Sequence, residues 1–343
     1  MTQLSRGRVS LPEDQLFILM QAGLYLTATR GMGSPEGCVC YERAESLCHS
    51  LNHPRLLYVA LIGQWRYSLH TKKLSAALRI AERVYSLAQQ QNDPALMIGA
   101  YNALAATLYF LGDFDSARQN ARCGLQIWRS GSVLSSTEDL YTPAVGCLFY
   151  GALSGWHLGD IASCQTNLDE AISLAKKLND MNALALALNW AANLAYFERN
   201  PAETDRLASD LIELSTRHNF VYFLTIGTML RGWACSASGD TAQGIPWIEQ
   251  GIRDFRATGS VLGLPTHLAR KAEALHLADR SSEALEAINE AEALAERFEQ
   301  RDRRAELHRL RGVFLATLGA DETQLRLRSA KPSESQRSRR RLR

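Results

Sequence analysis

The segments Leu111-Gly112-Asp113, Leu158-Gly159-Asp160 and Ser238-Gly239-Asp240 are three copies of one helix-breaking signal. Glycine followed by aspartate is typical of the end of one helix and the N-terminal cap of the next. Further breaks follow at regular intervals and define turns centred on residues 32, 72, 112, 159, 199, 239, 279 and 319. Every step is 40 residues except the one from 112 to 159. The sequence therefore predicts a structural repeat of about 40 residues.

Small residues stand on both sides of these turns. The residues five positions after each turn are small in every case: Gly37, Ala77, Ala117, Cys164, Thr204, Gly244 and Ala284. The residue that stands seven positions before each turn is small in six of the eight repeats: Ala105, Ala152, Ala192, Gly232, Ala272 and Gly312. Small residues placed symmetrically about a turn let two antiparallel helices approach closely, so each repeat is predicted to be a helical hairpin.

The segments between the turns have helical periodicity. Ile245, Ile248, Ile252 and Phe255 follow one another in steps of three or four residues. Valine occurs only nine times and no segment alternates like a strand. We predict an all-α fold, a right-handed α-solenoid of about seven 40-residue helix hairpins, closed by a capping helix near Ala305–Leu318.

Composition indicates one folded array with polar ends. With 46% hydrophobic residues and a net charge of +2, the chain is not of the disordered class. We expect a flexible N-terminus at 1–10, a single solenoid at 11–320 and a basic disordered tail at 321–343. The tail has no aromatic residues among its arginines, so nucleic-acid binding is not expected. The absence of a long apolar run argues against a membrane span, and seven scattered cysteines suggest reduced thiols in a cytoplasm.

The hairpin pattern resembles the tetratricopeptide repeat, in a longer form. Strings such as Arg231-Gly232-Trp233-Ala234 and Ala257-Thr258-Gly259-Ser260 are similar to the C-terminal repeat region of bacterial cyclase/ATPase and LuxR-type signalling regulators. The resemblance covers about residues 12–320 and implies a helical-repeat fold with a role in signalling or transcriptional regulation. No cyclase, ATPase or DNA-binding domain precedes these repeats in the sequence, so no enzymatic activity is implied.

No motif for catalysis or for a cofactor is present. The sequence contains no phosphate-binding loop, no H-E-x-x-H and no G-x-S-x-G. Cys38, Cys40 and Cys48 with His49 could be read as metal ligands, but helical positions two apart point to different sides. We therefore predict a protein that is not an enzyme and has neither a metal nor another cofactor.

In tetratricopeptide-like arrays the first helix of each hairpin lines the concave face. Polar and aromatic residues at that phase form the predicted partner-binding groove: Arg66, Asn102, Tyr109, Trp156, Asn189, Asn193, Tyr196, Trp233, Glu273 and His276. Asparagine lowers the stability of a helix relative to alanine, so its presence here suggests another role. Its amide could bind the backbone of a peptide, and the aromatic rings could cover the side chains of that peptide. The alternative is that the asparagines and tyrosines bridge neighbouring repeats and that both tryptophans belong to the core.

Two functions fit this pattern. The first is a non-catalytic scaffold or adaptor that binds a protein or peptide segment in the concave groove. The second is a sensor module of a signalling ATPase, with a small-molecule effector in the same groove. A long, open groove would favour the first, and a closed pocket of roughly 300–1,000 Å³ would favour the second.

Overall fold

The computed structural model describes residues 12–131 and 142–319. All regular structure within these two ranges is helical. The fifteen helices described are α1 (Pro12–Arg30), α2 (Pro35–Leu51), α3 (Pro54–Thr71), α4 (Leu74–Gln91), α5 (Pro94–Phe110), α6 (Phe114–Arg129), α7 (Pro143–His157), α8 (Ile161–Lys177), α9 (Met181–Phe197), α10 (Pro201–His218), α11 (Val221–Ala237), α12 (Thr241–Ala257), α13 (Leu264–Leu277), α14 (Ser281–Phe298) and α15 (Arg304–Thr317).

The helices form seven consecutive hairpins, from α1–α2 to α13–α14, followed by α15. Each helix packs on the next, and the odd-numbered helices also pack on one another, as in α5 against α7 and α11 against α13. The odd helices therefore make the inner layer of a solenoid. The predicted all-α solenoid of seven hairpins is confirmed, and α15 lies where the capping helix was expected.

Three features of the sequence prediction lie outside the described residues. These are the flexible N-terminus at 1–10, the basic tail at 321–343 and most of the longer loop after Gly131. Among the helices described, none is long and apolar enough to cross a membrane.

A residue in the left-handed conformation marks nearly every turn. At the predicted turns it is Gly31, Gly112, Gly159, Arg199, Gly239, Asp279 and Gly319. At the turns between hairpins it is Asn52, Asn92, Asn179, Asn219, Gly259 and Glu299. The 40-residue spacing is kept from Gly159 to Gly319 in the first series, and from Asn52 to Asn92 and from Asn179 to Glu299 in the second. A left-handed residue ends a helix, and an aspartate such as Asp113, which accepts a hydrogen bond from the Ser116 N–H, begins the next.

The small residues beside the turns are where the two helices of a hairpin meet. In α4, Ala77, Ala81, Val84 and Ala88 form one fully buried stripe. Helices α11 and α12 approach each other closely, and a Cβ atom added at Gly244 would lie 2.3 Å from the carbonyl oxygen of Gly232. Neither position has room for a larger residue.

The solenoid coils far enough for two C-terminal loops to reach the N-terminal hairpins. We call these loops, residues 258–263 between α12 and α13 and residues 299–303 between α14 and α15, the inner loops. The Val261 N–H donates to the carbonyl oxygen of His70 at 2.8 Å, and the Arg301 N–H donates to that of Phe110 at 2.7 Å. Main chain from the C-terminal repeats therefore lies against the inner layer of α3 and α5.

Replacing Gly244 with alanine is expected to lower the free energy of unfolding by about 1–3 kcal/mol, because the added methyl group overlaps the α11 backbone. Urea unfolding followed by circular dichroism measures the change. Gly312→Ala is the matched control, since a Cβ there has no neighbour within 4 Å, and the better helix former should add about 0.5–1 kcal/mol. Equal stability of Gly244→Ala and the wild type would contradict the close contact.

Candidate partner-binding site

The concave side of the solenoid holds two adjoining cavities separated by the inner loops. The larger, which we call the open basin, has a volume of about 870 Å³ and lies among α7, α9, α11, α13, α15 and the loop 299–303. The smaller, the inner cavity, measures about 70 Å³ and is covered by Leu262, Gly263 and Asp302 of the inner loops. The concave side is thus not one continuous groove.

The inner cavity has polar and apolar walls. Arg66, His70 and Asn189 line it together with Trp65 and Trp190. The buried indole N–H of Trp190 has no hydrogen-bond partner within the described part of the chain. A volume of about 70 Å³ accommodates a few water molecules but no segment of a partner protein.

The ten predicted groove residues divide into three groups. Four line the open basin: Trp156, Trp233, Glu273 and His276. Three line the inner cavity: Arg66, Asn189 and Asn193. The remaining three, Asn102, Tyr109 and Tyr196, line neither cavity and are buried. Their predicted role in binding a partner stays a prediction.

Glu273 is the centre of a network of polar side chains beside the basin. Its carboxylate, only 8% exposed, accepts hydrogen bonds from the Tyr196 hydroxyl at 2.6 Å and from the Trp233 indole at 3.1 Å. The guanidinium of Arg199 pairs with Glu273 and also with Glu306, at 2.7 Å. One carboxylate therefore connects the inner helices α9, α11 and α13, and Arg199 extends the connection to α15.

A second buried network uses the asparagines. The Asn193 amide nitrogen donates to the carbonyl oxygen of Asn189 at 2.7 Å, and its side-chain oxygen accepts from Arg270 at 2.5 Å. Arg270, fully buried, also stacks over the Tyr196 ring at 4.6 Å. Asn193 thereby joins α9 to α13, which belong to hairpins that are two repeats apart.

The charge state of His267 follows from this network. Burial and then the neighbouring charge of Arg270 hold the pKa of His267 well below its usual value. The ring is therefore neutral near pH 7. Its Nδ1 atom, 2.7 Å from Arg270, must accept the hydrogen bond because a guanidinium can only donate.

Two arginines of the loop 299–303 were not predicted. The Arg303 guanidinium lies 3.7 Å from the centre of the Phe197 ring, and both Arg301 and Arg303 line the open basin. Neither forms a salt bridge with another residue in the ranges described. Sequence reasoning missed them because they sit in a turn between hairpins and not on an inner helix.

Asp302 lies at the boundary and lines both cavities. Burial raises the pKa of this carboxyl to about 7, while the adjacent charge of Arg303 acts in the opposite direction. Near neutral pH this carboxyl is therefore partly protonated. The positive charges of Arg301 and Arg303 then outnumber the negative charge on Asp302.

The cysteines near the N-terminus are isolated thiols. Within the described ranges, no group of three or more histidine, cysteine or acidic residues is arranged to hold a metal ion. Burial raises the pKa of Cys38 to about 12 and that of Cys48 to about 11, so both remain protonated near neutral pH.

Glu273→Gln is expected to lower the free energy of unfolding by about 3 kcal/mol, because it removes the charge that compensates Arg199 and Arg270. Chemical denaturation measures the loss. Glu213→Gln, which breaks an exposed ion pair with Arg217, should leave stability nearly unchanged. A loss of the same size in both variants would show that Glu273 has no special structural role.

Asp302→Asn is expected to raise the melting temperature at pH 8 and to have a smaller effect at pH 5. A carboxyl whose pKa is raised by folding favours the folded state at low pH and opposes it as pH rises through about 7. His70 is buried and His157 half-buried, and desolvation lowers their pKa values to about 3 and about 4. Both histidines add the same acid dependence to both proteins. A pH-independent difference between the two melting curves would contradict this assignment.

Sequence comparisons place the chain beside one relative. No family model matches the chain. An uncharacterized protein of Rhizobium meliloti (strain 1021) is 23% identical over 309 residues, which are 89% of this chain and 30% of that protein. The chain therefore spans about a third of the length of this relative.

Solved structures with the same arrangement of helices share little sequence with the chain. A Rap protein complexed with Competence and Sporulation Factor has a TM-score of 0.61 at 13% identity, over 92% of this chain and 89% of that one. NprR in complex with its cognate peptide NprX has a TM-score of 0.59 at 11% identity, over 94% and 90%. These likenesses identify the fold of the chain as a tetratricopeptide-like helical repeat.

Proposed function

We propose that this chain is a non-catalytic interaction module that holds a segment of a partner protein in the open basin. The observation that carries the proposal is a space of about 870 Å³ on the concave side that the inner loops leave uncovered. Its walls combine aromatic rings with arginine side chains. Such walls suit a segment that presents both apolar and charged groups.

The chemistry of the walls indicates which segment fits. Trp156 and Phe197, both half-buried, offer apolar surface. Arg301 and Arg303 stand beside them without a carboxylate partner in the described chain. Glu273 and Glu306 are already paired with Arg199. We therefore infer a preference for a segment in which an acidic residue lies next to a bulky apolar one.

The comparisons support a role in binding. NprR, which shares the fold, is solved with its cognate peptide, and the Rap protein with Competence and Sporulation Factor. The relative from Rhizobium meliloti is about three times longer than the matched segment, as suits a repeat module joined to other domains. With the resemblance to cyclase/ATPase and LuxR-type regulators, this supports an adaptor role in cytoplasmic bacterial signalling or transcriptional regulation.

A small-molecule effector in the same basin is the second candidate. The volume of about 870 Å³ lies inside the range typical of small-ligand sites. The same arginines would then bind an anionic group of the effector, and the aromatic rings its apolar part.

A random-peptide display library tests the first candidate. We expect the wild type to enrich peptides with an acidic residue beside a bulky apolar one. Affinity for these peptides should fall at least tenfold in Arg303→Ala, about 1.4 kcal/mol, because a charge-assisted hydrogen bond is lost. Fluorescence anisotropy measures the affinities.

Arg217→Ala is the control, because Arg217 is an exposed arginine of α10 outside the basin. It should bind the enriched peptides as the wild type does. Enrichment of no peptide, or equal loss in both variants, would contradict a peptide site here. A thermal-shift screen of small anions that gives an Arg303-dependent hit alone would instead support the second candidate.

A further inference from the structure

The inner loops are bound to the inner helices as an extended peptide would be. The carbonyl groups of His70 and Phe110 belong to the last turns of α3 and α5, where no intrahelical N–H remains to bind them. The N–H groups of Val261 and Arg301 fill these positions from the concave side. The chain thus occupies part of its own groove.

Gln300 joins the two inner loops into one unit. Its side-chain oxygen accepts from the Gly263 N–H at 2.8 Å, and its nitrogen donates to the carbonyl oxygen of Val261 at 3.0 Å. The side chain is 5% exposed, so water does not compete strongly for these bonds. Movement of one loop therefore requires movement of the other or rupture of this link.

The first loop approaches the N-terminal hairpins closely at its beginning. A Cβ atom added at Gly33 would lie 2.6 Å from the carbonyl carbon of Gly259 and 2.8 Å from the carbonyl oxygen of Thr258. The hydroxyl of Ser260 is 2.9 Å from Nδ1 of His70. Backbone contact and a few hydrogen bonds hold residues 258–260 of the loop, and Leu262 is the one large side chain of the loop that is buried in the core.

The space beneath the loops is incompletely filled. The inner cavity of about 70 Å³ lies under Leu262 and Gly263, and the Trp190 N–H beside it has no partner among the described residues. An unfilled space forfeits dispersion contacts, and an unpaired buried donor costs free energy. Both features lower the cost of lifting the loops away from the inner helices.

We propose that the inner loops are a strap that opens as one unit, and that opening joins the open basin to the inner cavity in a single groove. The open state would expose Asn189 and Trp190 beside Arg66, a surface suited to the backbone of an extended segment. The role of this opening in binding rests on the proposed function. The motion itself can be tested without any partner.

Hydrogen exchange of the native protein, followed by NMR at increasing urea concentrations, tests the strap. In the wild type we expect the amides of Val261, Gly263 and Arg301 to exchange through one opening with weak urea dependence. The amides of Ala192 and Leu194 in α9 should exchange only on global unfolding. Gly33→Ala should speed exchange of all three loop amides at least tenfold, because its methyl group displaces the loop backbone.

Gly155→Ala is the control, since a Cβ there would meet nothing closer than 3.7 Å and should leave the loop amides unchanged. If Gly33→Ala does not fold, Gln300→Ala provides the test, because loss of the link should speed exchange of Val261 and Gly263 in a folded protein. Exchange of the loop amides only with global unfolding would overturn the strap. A failed peptide selection with a normal strap opening would count against the proposed function alone.

Discussion

The contact of small residues beside each turn is the constraint on which this architecture depends. Ala77, Ala117 and Ala284 are fully buried where the helices of their hairpins meet, and Gly232 faces Gly244 at backbone distance. This contact fixes the geometry of each hairpin. In a solenoid, the small rotation from one repeat to the next accumulates into curvature. The curvature here brings Val261 against His70, and the division of the concave side into two cavities is its consequence.

Local sequence signals were sufficient for the repeat but not for the groove. Glycine and asparagine at the turns could be predicted from residue type, because both residues tolerate the left-handed conformation. Arg199 and Asp279 adopt the same conformation, but only their spacing from the other turns predicted their positions. The repeat spacing also predicted which helices form the inner layer. What no local pattern contains is contact between distant repeats. His70 and Ser260 meet across 190 residues, and such contacts decide which groove residues stay accessible.

The buried asparagines illustrate why a residue type alone did not define its role. Asn189 and Asn193 looked costly within a helix unless a partner used their amides. The structure supplies an internal partner, because Arg270 reaches Asn193 from α13 and would otherwise be a buried charge with fewer acceptors. The buried hydrogen bonds that Asn193 makes with Asn189 and Arg270 favour one arrangement of the repeats over others. The position of Arg270 relative to α9 was the missing information.

The open basin and the strap are coupled, because Arg301 and Arg303 belong to both. A ligand shifts an equilibrium between two states only by binding one of them more tightly. A short segment bound by these arginines makes its best contacts when the loop 299–303 lies against the inner helices. Such a segment therefore favours the closed state of the strap. A longer segment that also needs the surface near Asn189 favours the open one. The length of the bound segment, more than its charge, would therefore determine whether the strap is open or closed.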